Sequence, residues 1–239
     1  MGVSVPSGPD VYIINHVTRY NEKKRLRERE RVFDVSALQR LAAMAVARSF
    51  EDVLSINKIG EGAANRAFVI NFRDGFRLVA RIPYPVTQPV GLVVASEAAT
   101  IACLRSKGIP VPQVYGYSAT AENAAGTEYI FMEFSPGKQL DTVWSDMGEQ
   151  DRLRFVKSLV DLEARLFNTS FSASGSLYFH RDLPATVQKL AVDSADVDQP
   201  ESLYIGPSTS LDLWYGRRSE LNVERGPRKS ITVLNWSPY

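Results

Sequence analysis

The sequence holds few of the residues from which metal centres and disulfide frameworks are built: one cysteine, Cys103, and two histidines, His16 and His180, in 239 residues. A lone thiol cannot form an intramolecular disulfide, and without a Cys/His cluster no structural zinc site is expected. Neither sign of charge is in excess. With 28 basic residues against 27 acidic ones, no global field draws the chain to nucleic acid or to an anionic membrane, so a bound anion needs a local site. No run approaches the ~20 apolar residues that span a bilayer, so membrane insertion is not expected. Met1 to Ser7 has no charged segment followed by an apolar one, and the expected location is intracellular. Pro6 breaks the myristoylation pattern, and Asp10, with no arginine before Arg19, does not suit a mitochondrial presequence. What is present is 44% hydrophobic content, enough for one large domain or for two lobes sharing a cleft.

Residues 1–18, with Pro6, Gly8 and Pro9, show no sustained period and are expected to be an irregular arm. Residues 19–31 interleave seven cations from Arg19 to Arg31 with Glu22, Glu28 and Glu30. Mixed signs favour a solvated helix over a nucleic-acid patch. Asp34 or Ser36 is placed to cap a helix from about Ser36 to Phe50, with Leu38, Leu41, Ala42, Ala45 and Val46 at helical spacing.

Near Val53 the period changes to two. Val53–Ile59 and Ala67–Phe72 alternate around Gly60-Glu61-Gly62, Arg73-Asp74-Gly75 supplies a second hairpin turn, and Phe76–Ile82 forms a third strand. A helix is expected over Ala95–Ser106, closed by Gly108, and strands four and five over Gln113–Tyr117 and Glu128–Phe134. A long helix should run from Asp146 to about Phe167, with Leu153, Val156, Leu159, Val160, Leu162 and Leu166 on its buried side. After Asn168 the sequence is rich in turn residues.

Five antiparallel strands with one helix between the third and fourth, followed by an extended link to helices, is the element order of a kinase. Gly60-Glu61-Gly62-Ala63-Ala64-Asn65 falls on the first hairpin, where small residues let backbone N–H groups approach phosphate oxygens. A hairpin glycine pair is more often only a turn, and Asn65 stands where the third glycine of G-x-G-x-x-G belongs. Arg81 lies on strand three, where kinases place a cation on the phosphates, and Glu97 lies on the intervening helix, where an acid would hold that cation in line. Either residue alone is as easily a surface charge as a site residue. Their order and spacing together favour function.

Gly62-Ala63-Ala64-Asn65-Arg66-Ala67-Phe68, Leu78-Val79-Ala80-Arg81-Ile82-Pro83, Glu97, Gly108-Ile109-Pro110-Val111-Pro112 and Ile130-Phe131-Met132-Glu133-Phe134 resemble the aminoglycoside phosphotransferase family. Tyr20-Asn21-Glu22, Gly175-Ser176-Leu177-Tyr178-Phe179 and Ile205-Gly206-Pro207-Ser208 resemble its fungal branch similar to altered inheritance of mitochondria protein nine. The resemblance implies an α+β, protein-kinase-like fold, with an arm and helical extension over residues 1–50, a five-stranded lobe with one helix over 51–134, and a hinge with an incomplete helical C-lobe over 135–239. It also implies ATP with Mg²⁺ in the cleft between the lobes, phosphoryl transfer to a small-molecule hydroxyl in active members, and a mitochondrial location with the cytoplasm as the alternative. Gly60, Gly62, Asn65, Arg81 and Glu97 would serve the phosphates, and Met132, Glu133 and Phe134 the adenine as hinge.

The family's His-x-Asp-x-x-x-x-Asn loop and later acidic metal ligand are expected beyond Ser230, where they are not found, and Ile231–Tyr239 does not match the family's continuation. His180-Arg181-Asp182-Leu183 imitates a catalytic loop, but Val187 stands where a metal-binding Asn is needed and no Asp-Phe-Gly follows. No catalytic or metal-ligating residue is therefore assigned. Three functions stay open: a nucleotide-binding pseudoenzyme, a phosphotransferase by another route, and a binding protein that takes no nucleotide. The first is favoured, with weak ATP binding, Mg²⁺ held only if the C-terminal part is supplied, and a protein partner over the uncovered face of the long helix.

Overall fold

The computed structural model describes residues 27–192 and 199–229. The expected arm over residues 1–18, most of the charged stretch after it and the segment from Ser230 onward lie outside the described residues.

Helix α1, Val35–Ala45, starts where Asp34 accepts a hydrogen bond from the Ala37 backbone N–H at 2.8 Å. The expected span to Phe50 is too long. Ala47 takes a positive φ of 53°, which breaks the helical path. Ser49 then opens a 3-10 turn over Phe50–Asp52, its N–H bonded to the Asp52 carboxylate at 3.2 Å.

Strands β1 (Val53–Glu61), β2 (Asn65–Phe72), β3 (Arg77–Pro83), β4 (Val114–Ser118) and β5 (Tyr129–Glu133) form the expected antiparallel sheet in the order β1-β2-β3-β5-β4. Alternation gives the sheet two different faces. Phe68, Ile70 and Phe72 of β2, Leu78, Ala80 and Ile82 of β3, and Phe131 of β5 pack with Phe33, Leu38 and Ala42 into the largest core cluster. The opposite face carries Val79, Ile130 and Met132 and is covered by Val94 and Ile101 of helix α2, Leu92–Ser106. That helix begins three residues before the expected Ala95. Gly91, at φ 78°, turns the chain into it where a Cβ would lie 3.1 Å from the Ala119 carbonyl oxygen.

Helix α3, Glu149–Phe167, starts after an N-cap at Gly148 rather than at Asp146, because Trp144–Asp146 is taken up in a 3-10 turn. Its apolar side lies uncovered, as expected for the uncovered face of the long helix, and no residue of α3 is buried. The turn-rich stretch after it holds strands that the sequence did not announce. Strand β6 (Ala173–Ser174) pairs with β10 (Arg228–Lys229), and β7 (Ser176–Phe179), β8 (Leu190–Ala191) and β9 (Leu203–Gly206) form a sheet in the order β7-β9-β8. Tyr178, Leu183 and Tyr204 of this region bury Ala95 of α2, so residues beyond the long helix return to the first lobe. No described helix is long and apolar enough to cross a membrane.

Candidate functional site

Register places one residue of each strand in a row across the five-stranded sheet: Gly60 faces Ala67, Ala67 faces Arg81, Arg81 faces Ile130, and Ile130 faces Tyr117. Directly opposed residues share a face, so the glycine hairpin, the cation and Tyr117 all address the side on which α2 lies. At a strand spacing of about 4.8 Å, Arg81 stands about 10 Å from either end of the row.

The hairpin between β1 and β2 is closed by Gly62 N–H donating to the Asn65 carbonyl at 2.9 Å. A Cβ added at Gly60 would meet nothing within 4 Å, and one at Gly62 nothing closer than 3.7 Å. Neither glycine is imposed by the protein's own packing, and the space above them is open to a ligand that needs bare backbone. Asn65 occupies the same face as Ala67 by alternation. Glu61 does not disturb this surface, because register sets it opposite Arg66 on the other face. There the Arg66 Nε–H donates to the Glu61 carboxylate at 2.7 Å, with Lys58 at 3.9 Å. The one carboxylate of the hairpin is thus neutralised away from where phosphate would sit. Sequence reasoning missed Arg66; an acid and a base flanking a glycine turn is the signal that marks it.

Arg81 and Glu97 are brought together as an ion pair, the Nη1–H group donating to the Glu97 carboxylate. Glu97 lies on the same helical stripe as Val94 and Ile101, three and four residues away, which fixes it toward the sheet. Burial lowers the pKa of the Arg81 guanidinium from its ordinary value, yet an arginine keeps its charge, and Glu97 beside it favours that form. With side-chain exposures of 36% and 25% the pair is still reachable from solvent.

Ala67, Val69 and Val79 give the cation an apolar floor on its own face. The remaining expected contacts differ in enclosure, Met132 being buried and the Glu133 side chain 44% exposed. Met132 packs with Val94 and Ile130 under α2, Glu133 pairs across to Leu78 and accepts from Gln113 N–H at 3.0 Å, and the Phe134 ring lies 4.0 Å beneath the Arg77 guanidinium.

Asp182 is engaged elsewhere. Its carboxylate accepts from the Tyr117 hydroxyl at 2.7 Å, while Arg181 donates to the Tyr117 hydroxyl oxygen at 2.8 Å and pairs with Glu201. The Phe179 ring stacks on Tyr117 at 6.3 Å, and the His180 ring lies 5.1 Å from Tyr204. Burial, then the bond to Asp182, pushes the Tyr117 phenol up from its ordinary value. Tyr117 is in the edge strand at the end of the row opposite to Gly60, about 19 Å away by strand spacing, so the His180–Asp182 segment stands apart from the glycine hairpin. Among the described residues no group of three or more His, Cys, Asp or Glu side chains is arranged to hold a metal ion. The hairpin N–H groups and the Arg81 guanidinium are donors of the kind that phosphate oxygens accept from.

A model of the phosphotransferase enzyme family matches residues 55–207. The chain is 36% identical over 185 residues to a subtelomeric hrmA-associated cluster protein of Aspergillus fumigatus, covering 77% of this chain and 35% of that protein. It is 31% identical over 192 residues to altered inheritance of mitochondria protein 9, mitochondrial, of Candida tropicalis, covering 76% and 30%. It thus spans about a third of the length of these relatives. Among solved structures, a Thermobifida fusca chain described as a fructosamine-3-kinase aligns at 17% identity and a TM-score of 0.32, covering 44% of this chain and 33% of that one.

Proposed function

We propose, for a chain that belongs to the phosphotransferase enzyme family, that the five-stranded lobe is a nucleotide-binding unit and that the 239-residue polypeptide binds ATP weakly without transferring its phosphoryl group. The observation that carries this is the row from Gly60 to Arg81 on one face of the sheet. Bare hairpin backbone at one end and a helix-braced guanidinium at the middle are two phosphate-binding elements of the right chemistry. Gly60, Gly62 and Asn65 line the phosphates, Arg81 neutralises them, Glu97 holds Arg81 in line, and Ala67, Val69 and Val79 receive the base, with Met132 and Phe134 bounding that floor. ATP bound there would supply a phosphoryl group, but transfer needs in-line geometry and neutralisation of developing charge. Asp182, committed to Tyr117, orients no substrate hydroxyl, and no transfer step is assigned.

A second function has its own support. The described part of α3 presents Leu153, Val156, Val160 and Phe167 to solvent, a surface suited to a protein partner, so a binding protein that takes no nucleotide is the alternative. The relatives named as mitochondrial support a mitochondrial location, which cell fractionation tests against a cytoplasmic pool. Calorimetric titration with ATP separates the functions. Weak binding that is lost in Arg81→Ala and in Gly60→Val, with unfolding midpoints unchanged, supports nucleotide binding. No heat of binding in the wild type favours the interaction protein. Magnesium-dependent ATP consumption that requires a small-molecule alcohol and disappears in Arg81→Ala would overturn the proposal in favour of an active enzyme.

A further inference from the structure

The His180–Asp182 segment imitates a catalytic loop, yet every polar group in it that reaches the first lobe converges on one phenol. We infer that Tyr117, Arg181 and Asp182 form a clamp that docks the β7-β9-β8 sheet on the outer side of α2 and so sets Glu97 against Arg81, making Tyr117 and Asp182 positioning residues of the nucleotide site.

Helix α2 is held between two sheets. Leu92 and Ala95 meet Tyr178, Leu183 and Tyr204 of the three-stranded region, while Val94 and Ile101 meet Val79, Ile130 and Met132 of the five-stranded one. Successive helical residues are about 100° apart, so Ala95 and Glu97 project to nearly opposite sides of the same turn. Pressure on one side is therefore set by the seat on the other. The seat is tight, since a Cβ at Gly206 would lie 2.9 Å from the Tyr178 ring and 3.0 Å from Leu183. What ties this outer layer to the lobe is polar and directional: Tyr117 donates to Asp182, accepts from Arg181, and stacks on Phe179. Tyr117 shares its cross-strand row with Arg81. One row thus carries the cation and the anchor of the layer that positions the cation's partner.

The nucleotide part of the inference rests on the proposed function, and the test separates the two. Tyr117→Phe keeps the ring and its stacking and removes only the hydroxyl, and Asp182→Asn keeps an oxygen able to accept from it. In the full chain, hydrogen exchange of the amides of residues 92–99 should quicken roughly 3- to 10-fold in Tyr117→Phe and Asp182→Ala and return toward wild type in Asp182→Asn. ATP affinity should fall by about the same factor, and in a Glu97→Gln background Tyr117→Phe should cost nothing further, because the clamp acts through Glu97. Equal losses in both backgrounds, or faster exchange confined to residues 176–206 with α2 unchanged, would overturn the clamp. If the wild type binds no ATP, the nucleotide-binding function fails, and exchange of α2 alone then decides: quickened in Tyr117→Phe, the clamp stands; unchanged, it falls.

Discussion

Helices α2 and α3 are similar in length and opposite in circumstance. Helix α2 reads LVVASEAATIACLRS, apolar on most sides with no dominant stripe, and Val94, Ala95, Ser96, Ala98, Ala99 and Cys103 are buried because a sheet lies on each flank. Helix α3 carries a clear apolar stripe, and none of its residues is buried. A stripe records which side of a helix could be covered; only a neighbour covers it. A helix without a stripe, by contrast, has to be enclosed, since its apolar surface has no preferred outward side.

An aspartate introduced into each helix should break the comparison most widely. Ala95→Asp places a charge between two sheets at a position with 0% exposure, and should cost roughly 3 kcal/mol or more in urea denaturation. Val156→Asp in α3, at 46% exposure, should change stability by less than about 0.5 kcal/mol. A large loss there would mean that α3 is covered in solution.

Gly206→Ala should cost about 1–3 kcal/mol, since its new methyl group must displace the Tyr178 ring and Leu183 against α2. Hydrogen exchange should then rise on the outer side of α2 and leave the β1–β2 hairpin unchanged. An unaltered melting temperature would show that the three-stranded sheet is loosely seated.

Alkali should turn α2 toward the condition of α3. Burial raises both the Tyr117 and Tyr178 phenols above the ordinary 10.0, and both belong to the docked layer. Each is raised in the folded state, so its contribution is fully present below pH 10.0 and is lost as pH rises through the folded values. Phenolate absorbance followed with α2 exchange should show the outer layer loosening above that pH. Tyr117→Phe should shift the loosening to be governed by Tyr178 alone, and α2 protection that stays level relative to intrinsic exchange through the titration would contradict the coupling.

A small effect on stability is also expected at the ion pair. Arg81→Ala should change the unfolding free energy by less than about 1 kcal/mol, because a partly exposed pair is screened by solvent. The same substitution should abolish ATP binding. A larger loss of stability would assign the pair to the fold rather than to a ligand.

Much of the first lobe was legible because its signals are local. Two-residue alternation from Val53, the Gly60–Gly62 and Asp74-Gly75 turns and the closing Gly108 are read within a window of a few residues, and the sheet follows them closely. Arg81 and Glu97 were legible as a pair because strand and helix periods determine which way each points once the elements pack. The three-stranded layer was not. Its strands are two to four residues long, too short for alternation to show, and they lie among the turn residues that ordinarily mark loops. Arg66 was hidden for a related reason, since a charge in β2 reads as exposed until Glu61 is found opposite it.

The order of strands and helices, the open glycine hairpin and the choice of cation and acid were written in residue types and their spacing, because backbone preference and side-chain period act between near neighbours. Which faces are covered, and where His180-Arg181-Asp182 sits, were decided by contacts across the chain. Tyr117 and Asp182 are 65 residues apart. Their bond forms where the outer sheet, packed on Ala95, meets the edge strand of the first lobe, and no local pattern encodes a partner that distant.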